Sequence, residues 1–349
     1  MRGFISSALH ETRGRNSKRI KYGFNFQWMF VWQEGRDPQP ADEKALDFLA
    51  EMGFNFVRIT TDYRYWTKDF DYFHPDEDVF KNLDSYLEAC KQRNLHMCLN
   101  FHRAPGYCIN RNDLERDNLW LDKVAQDGFI FQWELMAKRY KGVSNDYLSF
   151  DLVNEPPGIG QYGMTRENHA DLIRRTVKAI REIDPDREIV IDGLGGGNIA
   201  MPELADVDVI QSGRGYQPMG ISHYRAGWVD RHETFPEPVY PDYVSGGRVW
   251  NRETLKEFYQ PWRDLQKKGV KVHIGEFGCY NRTPNDVALR WLSDLVSLYK
   301  EFKWGYALWN FEGPFGIINH GRPGARYEDM KGYKVDRQLL DILLENRVE

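Results

Sequence analysis

The stretch Tyr147-Leu148-Ser149-Phe150-Asp151-Leu152-Val153-Asn154-Glu155-Pro156-Pro157 decides how this chain is read. It is a short apolar run that breaks off into an amide, a carboxylate and two prolines, and its length and composition suit a buried strand. Runs of the same kind recur on both sides of it. Strands are predicted over residues 20–26, 54–59, 96–101, 147–153, 188–192, 207–211, 270–274 and 305–309. Helical patterns fill the gaps, over 42–52, 80–93, 119–139, 165–182, 252–268, 285–302 and 336–345. In the first of these, Ala45, Leu46, Phe48, Leu49 and Met52 share one face. Gly53, Asn94, Gly142 and Gly269 follow helices, where a left-handed C-terminal residue is expected.

Eight strands alternating with helices imply parallel pairing through right-handed crossovers, and eight is the number that closes a (β/α)8 TIM barrel. The expected fold is a single α/β barrel domain over residues 1–349 with elaborated βα loops, residues 1–19 being an N-terminal extension. A doubly wound open sheet is the runner-up. Residues 193–206 leave room for only a short helix between the fifth and sixth strands. The run Gly193-Leu194-Gly195-Gly196-Gly197-Asn198 superficially resembles a phosphate loop but has the spacing of neither nucleotide motif.

Composition narrows the function classes. The chain has 349 residues and a net charge of −5, and its 47 Lys and Arg gather in no run, which argues against nucleic acid. It is long enough to bury a large core without disulfide or metal. No apolar stretch approaches the ~18–20 residues that span a bilayer. The basic, polar N-terminus lacks the apolar core of a signal peptide, so the chain as given is expected to be cytoplasmic, or secreted if a leader was removed. A monomer is expected. Cys90, Cys98, Cys108 and Cys279 make no Cys-x-x-Cys pair and are expected to be free, mostly buried thiols. His232-Glu233 lacks the second histidine of a zinc helix, and neither metal nor cofactor is expected.

The aromatic load is high: 11 Trp, 19 Tyr and 20 Phe. Trp28, Trp32, Tyr63, Tyr65, Trp66, Tyr107, Trp120, Tyr216, Tyr224, Trp228, Trp309 and Phe311 stand beside polar residues. Flat apolar faces next to hydrogen-bonding groups suit a sugar ring. The groups 63–66 and 107–120 suggest several subsites and an endo-acting cleft, with the segment 222–250 bordering or capping it.

Chemistry in a barrel sits where strands end. The first strand runs into Asn25-Phe26-Gln27-Trp28, the second ends in Arg58, and the third in Asn100-Phe101-His102-Arg103. The fourth ends in Asn154-Glu155, the sixth in Arg214-Gly215-Tyr216, the seventh in Gly275-Glu276-Phe277 and the eighth in Trp309-Asn310-Phe311-Glu312. Strands four and seven face each other across the mouth, so Glu155 and Glu276 can converge. Two opposed carboxylates in different environments are the minimum apparatus for breaking a glycosidic bond. One holds a proton for the leaving oxygen, and the other stands charged by the anomeric carbon. A gap of ~5–5.5 Å permits direct attack and retention, and ~6.5–9.5 Å admits a water and gives inversion.

Phe150-Asp151-Leu152-Val153-Asn154-Glu155-Pro156, with Ile274-Gly275-Glu276-Phe277-Gly278 downstream, closely resembles glycoside hydrolase family 5, the retaining cellulases and mannanases built on the (β/α)8 barrel. Phe56-Val57-Arg58-Ile59 is similar to the family's second-strand arginine, residues 100–106 to its third-strand histidine segment, and Trp309 to the eighth-strand tryptophan that floors the −1 sugar subsite. The resemblance runs from about Lys21 to Leu344. It implies that Glu155 is the acid/base and Glu276 the nucleophile. It also implies that Asn154 bonds the sugar 2-hydroxyl, that Tyr216 donates to Glu276, that Arg58 keeps Glu276 ionised, and that His102 lines the −1 subsite. Trp28 joins the substrate-binding set as an aromatic at the first strand's end.

The family usually reads His-x-Tyr on the sixth strand, where this chain has Arg214-Gly215-Tyr216. An arginine there would lower the pKa of Glu155 unless it turned away. Either Arg214 contacts substrate or another loop, or His223 fills the vacant place. Glu312 could bond a sugar hydroxyl, or simply pair with Arg322 or Arg326. The expected activity is a retaining, endo-acting hydrolase of β-1,4-linked glucan or its oligosaccharides. A mannanase, glucomannanase or exo-acting β-glycosidase is the alternative, and an inactive carbohydrate-binding barrel the second. The inactive barrel would show loss of a carboxylate or of Asn154, and neither is lost. A transglycosidase would use the same two glutamates.

Overall fold

The computed structural model describes residues 19–230 and 232–348. The expected N-terminal extension lies outside the described residues except for Arg19. Eight parallel strands form a closed barrel: β1 (Tyr22–Met29), β2 (Phe56–Asp62), β3 (His96–Arg103), β4 (Leu148–Asp151), β5 (Ile189–Asp192), β6 (Ile210–Gly215), β7 (Lys271–Phe277) and β8 (Gly305–Leu308). Each pairs with its sequence neighbours, and β8 closes on β1. Nearly every strand residue is buried, because one face meets the helices and the other fills the barrel.

The outer shell comprises Glu43–Glu51, Phe80–Lys91, Lys123–Arg139, Arg166–Ile183, Arg252–Phe258, Gln260–Lys267, Asn285–Phe302 and Arg337–Glu345. Asp42, Thr165, Asn251 and Asp336 cap helix N-termini with their side chains, which fixes where those helices start. The predicted helix over 252–268 is two helices. They part at Tyr259, since Pro261 in the first turn of the second has no N–H to continue the ladder. Between β5 and β6 the chain makes only the one-turn element Leu194–Gly197 and a 3-10 turn at Pro202–Leu204. β6 starts at Ile210 rather than 207, because the Val207 amide is engaged by Leu204 in that turn. Two antiparallel hairpins, Tyr243–Ser245 with Arg248–Trp250 and Tyr327–Met330 with Tyr333–Asp336, were not predicted. The first turns through Gly246 and Gly247, both left-handed.

Inside the barrel the filling changes character along the axis. Phe56, Cys98, Val190, Ile210 and Ala307 form a small apolar cluster of their own. Two residues further along the same strands, and so on the same face, stand Arg58, Asn100, Asp192 and Ser212, with Trp309 just past the end of β8. At the N-terminal end this apolar layer lines a cavity together with Lys21, Ser149 and His273, and Lys21 is paired with the buried Glu188; the dense charge cluster lies toward the C-terminal end. All four cysteines are free and buried. Among the described residues no helix is long and apolar enough to cross a membrane.

Candidate active site

Glu155 and Glu276 are brought together, by two local irregularities. Glu276 lies on a β-bulge. Gly213 and Arg214 of β6 pair with Ile274 and Glu276, while Tyr306 and Leu308 of β8 pair with Ile274 and Phe277, so β7 holds one extra residue against both neighbours. The bulge turns Glu276 into the barrel mouth. Glu155 has a left-handed backbone, φ 47°, which is costly for a non-glycine residue. Side chains hold it on both sides: its N–H donates to Asp192 Oδ2 at 3.0 Å, and its carbonyl accepts from the Tyr107 hydroxyl at 2.6 Å.

One guanidinium touches both acids. Arg214 is fully buried. Its Nε donates to Glu155 Oε1 at 2.7 Å, and its Nη2 lies 3.5 Å from Glu276 Oε1. Arg214 also donates to Asn154 Oδ1 at 2.9 Å, to Asp192 Oδ1 at 3.1 Å, and through Nη2 to Asp192 Oδ2. The two acids are therefore separated by no more than one planar guanidinium and two contacts, inside the ~9.5 Å limit for opposed glycosidase carboxylates. Arg58, also buried, donates through Nη1 to Glu276 Oε1 at 2.6 Å and to Asn25 at 2.9 Å, through Nη2 to Asn154 Oδ1 at 2.9 Å, and through Nε to Asp151 at 2.7 Å. Tyr216 donates its hydroxyl to Glu276 Oε2 at 3.0 Å. With Oδ1 held by two arginines, Asn154 keeps its amide group for other partners, and His102 Nε2 lies 3.3 Å away. His102 stacks on Trp309 at 5.5 Å between centroids, and Phe30 abuts both rings.

Burial, then the charge of Glu276, pushes Glu155 up to about 7, outweighing the downward pull of Arg214. Burial and then Asp192 push Asp151 up to about 7 against Arg58 and Arg214. Asp192 goes the other way, since Arg214 and Arg58 overcome the cost of its burial. The pocket thus contains a carboxyl that holds a proton near neutrality, facing a carboxylate that accepts from Arg58 and Tyr216. That is the division of labour glycoside cleavage requires.

Several expectations are corrected. Arg214 neither turns away nor leaves its place to His223; it binds Glu155 itself. His223 instead bonds the Ser222 hydroxyl at 2.8 Å and packs edge-on against Tyr216. Trp28 is core. With Phe24 and Phe26 it points outward from β1, against Tyr86, while Asn25 points in. Tyr63, Trp66, Tyr107, Trp120 and Phe311 are buried too, and so form no subsites. The polar atoms of two of them are satisfied in the core by residues remote in sequence: Tyr63 donates to Glu115 and Trp66 to Gln132. Glu312 is exposed and accepts from Asn319 at 3.2 Å, not from Arg322 or Arg326. Trp32 and Trp228 are the most exposed tryptophans among the described residues, at 37% and 57%, and Trp309 is half-buried.

Asp192, which the sequence reading missed, belongs to the site, as do Asp151, Asn25 and Tyr107, which it named at strand ends or among the aromatics without giving them these contacts. Reading the end of the fifth strand, Ile189-Val190-Ile191-Asp192, finds the first by the rule that found Glu155. Among the described residues no cluster of His, Cys, Asp and Glu could hold a metal ion.

The family model described as Cellulase (glycosyl hydrolase family 5) matches residues 19–313. Endoglucanase C of Acetivibrio thermocellus is 31% identical over 314 residues, covering 82% of this chain and 88% of its own. A crystal structure described as a glycoside hydrolase is 73% identical, with TM-score 0.94, over 95% of this chain and all of that one. Thermotoga maritima Cel5A, in a mutant form with cellobiose, shares the fold at TM-score 0.76 and 24% identity, over 95% of this chain and 98% of its own. This chain is a glycoside hydrolase and belongs to glycosyl hydrolase family 5.

Proposed function

We propose that the protein is a retaining endo-β-1,4-glucanase that cleaves β-1,4-linked glucan or its oligosaccharides by double displacement. The convergence of Glu155 and Glu276 on Arg214 carries the glycosidase reading, and the family and the endoglucanase relative support retention and the glucan substrate. Glu155 gives its proton to the glycosidic oxygen as Glu276 attacks the anomeric carbon and the C–O bond breaks. Glu155, now charged, takes a proton from water, whose oxygen displaces Glu276 and restores both groups. The Asn154 amide group, beside His102 Nε2 at 3.3 Å, is assigned to the sugar 2-hydroxyl, and Trp309 to the floor of the ring. Endo action is supported by Trp32 and Trp228, exposed in the loops that follow β1 and β6, and by the endoglucanase relative.

The test is hydrolysis of carboxymethylcellulose, mixed-linkage glucan, glucomannan, galactomannan and xylan, with product lengths recorded. The expected result is internal cleavage of the glucans with the β-configuration kept. Preferential attack on galactomannan would move the substrate to mannan, and release of single sugars from chain ends would make the enzyme exo-acting.

A further inference from the structure

The pair Glu155 and Glu276 carries one negative charge at every resting point of a double displacement, but not on the same residue. In the free enzyme the charge is on Glu276. In the glycosyl-enzyme Glu276 is an ester and the charge is on Glu155. We propose that Arg214 is a positioning residue that serves as counter-ion to both acids in turn, following this charge from nucleophile to acid/base and so speeding the second half of the reaction. The proposal rests on the double-displacement reading given above.

The geometry suits the task. Nε and Nη2 of one rigid guanidinium already meet Glu155 and Glu276, so no rotation is needed when the charge moves. Arg58 cannot do this, as its contacts reach Glu276 but not Glu155. Arg214 is itself pinned by Asp192, Asn154 and the Ser212 hydroxyl at 3.2 Å, and its backbone carbonyl accepts from Tyr259 at 2.9 Å. Two glycines clear its path. A Cβ at Gly197, φ 80°, would stand 2.3 Å from Arg214 Cγ, and one at Gly275 would stand 2.9 Å from Nη1. The glycine run that resembled a phosphate loop is accounted for here. Its Gly195 and Gly196 amides donate to the carbonyls of Pro157 and Pro156, tying down the loop behind Glu155, while Gly197 admits the arginine. The groups facing the Glu155 carboxyl are Arg214 from β6, Tyr216 just past its end, Glu276 from β7 and Asp192 from β5, with Tyr107 on its backbone. Arg214 is the only cation in that set.

The experiment uses the whole enzyme with 2,4-dinitrophenyl β-cellobioside, whose leaving group departs without a proton. Glycosylation then does without the acid, and turnover reports deglycosylation, which needs Glu155 as base. Arg214→His, which installs the residue the family usually carries, is expected to give a burst of dinitrophenolate approaching one per enzyme. Its kcat and KM should both fall by about tenfold or more, with kcat/KM little changed. Azide, a nucleophile that needs no base, should restore kcat and yield a β-glycosyl azide. On cello-oligosaccharides the basic limb of kcat/KM should move up by about one pH unit or more, since an attractive charge beside the acid has gone. Arg214→Lys, which keeps the charge and the fold more safely, should show the same pattern at smaller size. If the variants lose burst rate and kcat equally, with the basic limb in place and no azide rescue, Arg214 is merely a structural prop and the proposal fails. If the wild type is not labelled on Glu276 by a 2-fluoro glycoside, the double-displacement reading fails first and takes the proposal with it.

Discussion

Glu155 occupies a backbone conformation that few non-glycine residues adopt, and Pro156 follows it, which disfavours the helical region on its own account. The Asp192 and Tyr107 bonds to its amide and carbonyl hold it there, so aim and proton affinity depend on different neighbours: the first on backbone contacts, the second on burial, Glu276 and Arg214. Tyr107→Phe should therefore lower kcat with little change in the pH limbs, measured on cello-oligosaccharides between pH 4 and 9. Glu155→Gln should reduce hydrolysis of such substrates by about 10²–10⁴ while sparing a dinitrophenyl glycoside's first step, and Glu276→Gln should abolish both. At this scale the sequence was readable where a residue's chemistry is singular. Glu155, Glu276, Asn154 and Arg58 declare themselves by type and by strand end. Trp28 did not, because an aromatic at a strand end looks the same whether it faces in or out until the two-residue alternation is fixed by a neighbour such as Asn25.

The eight strands and the main helices were legible from hydrophobic period and cap residues, within a few positions at their ends. The β7 bulge was not. Nothing in Ile274-Gly275-Glu276 distinguishes a strand with one extra residue from a regular one, since the bulge is a relation among β6, β7 and β8. Gly275 is its hinge and has no room for a side chain: a Cβ there would stand 2.5 Å from Ser212 Oγ and 2.9 Å from Arg214 Nη1. Gly275→Ala should cost about 1–3 kcal/mol, read as a lower urea midpoint, and should lower kcat more than it raises KM. The hairpin over 243–250 escaped because its strands are three residues each, below the length at which alternation can be seen.

Among the described residues five buried histidines resist protonation. Burial holds His223 down to about 4, His169 and His273 to about 3, and His96 and His102 well below their ordinary value. In the unfolded chain each titrates near 6.5. As pH falls from 6.5 toward 5 the unfolded state gains those protons and the native state does not, so stability is lost. Glu155 and Asp151, raised to about 7, oppose this, because the native state holds their protons first. Five protons against two leave a net loss, at most roughly 4 kcal/mol per pH unit. The urea midpoint should drop steeply between pH 6.5 and 5, and the drop should shrink in His169→Gln and His273→Gln. Composition gave no sign of this, because histidine burial depends on packing rather than on count.

The proposed mechanism turns on Glu276 forming a covalent bond to the sugar while Glu155 manages the proton. Peptide mapping after inactivation by 2,4-dinitrophenyl 2-deoxy-2-fluoro-β-cellobioside measures that bond directly. One fluorocellobiosyl group per enzyme on Glu276 is the predicted result. A label on another residue, or turnover of cello-oligosaccharides to α-configured products, would contradict it.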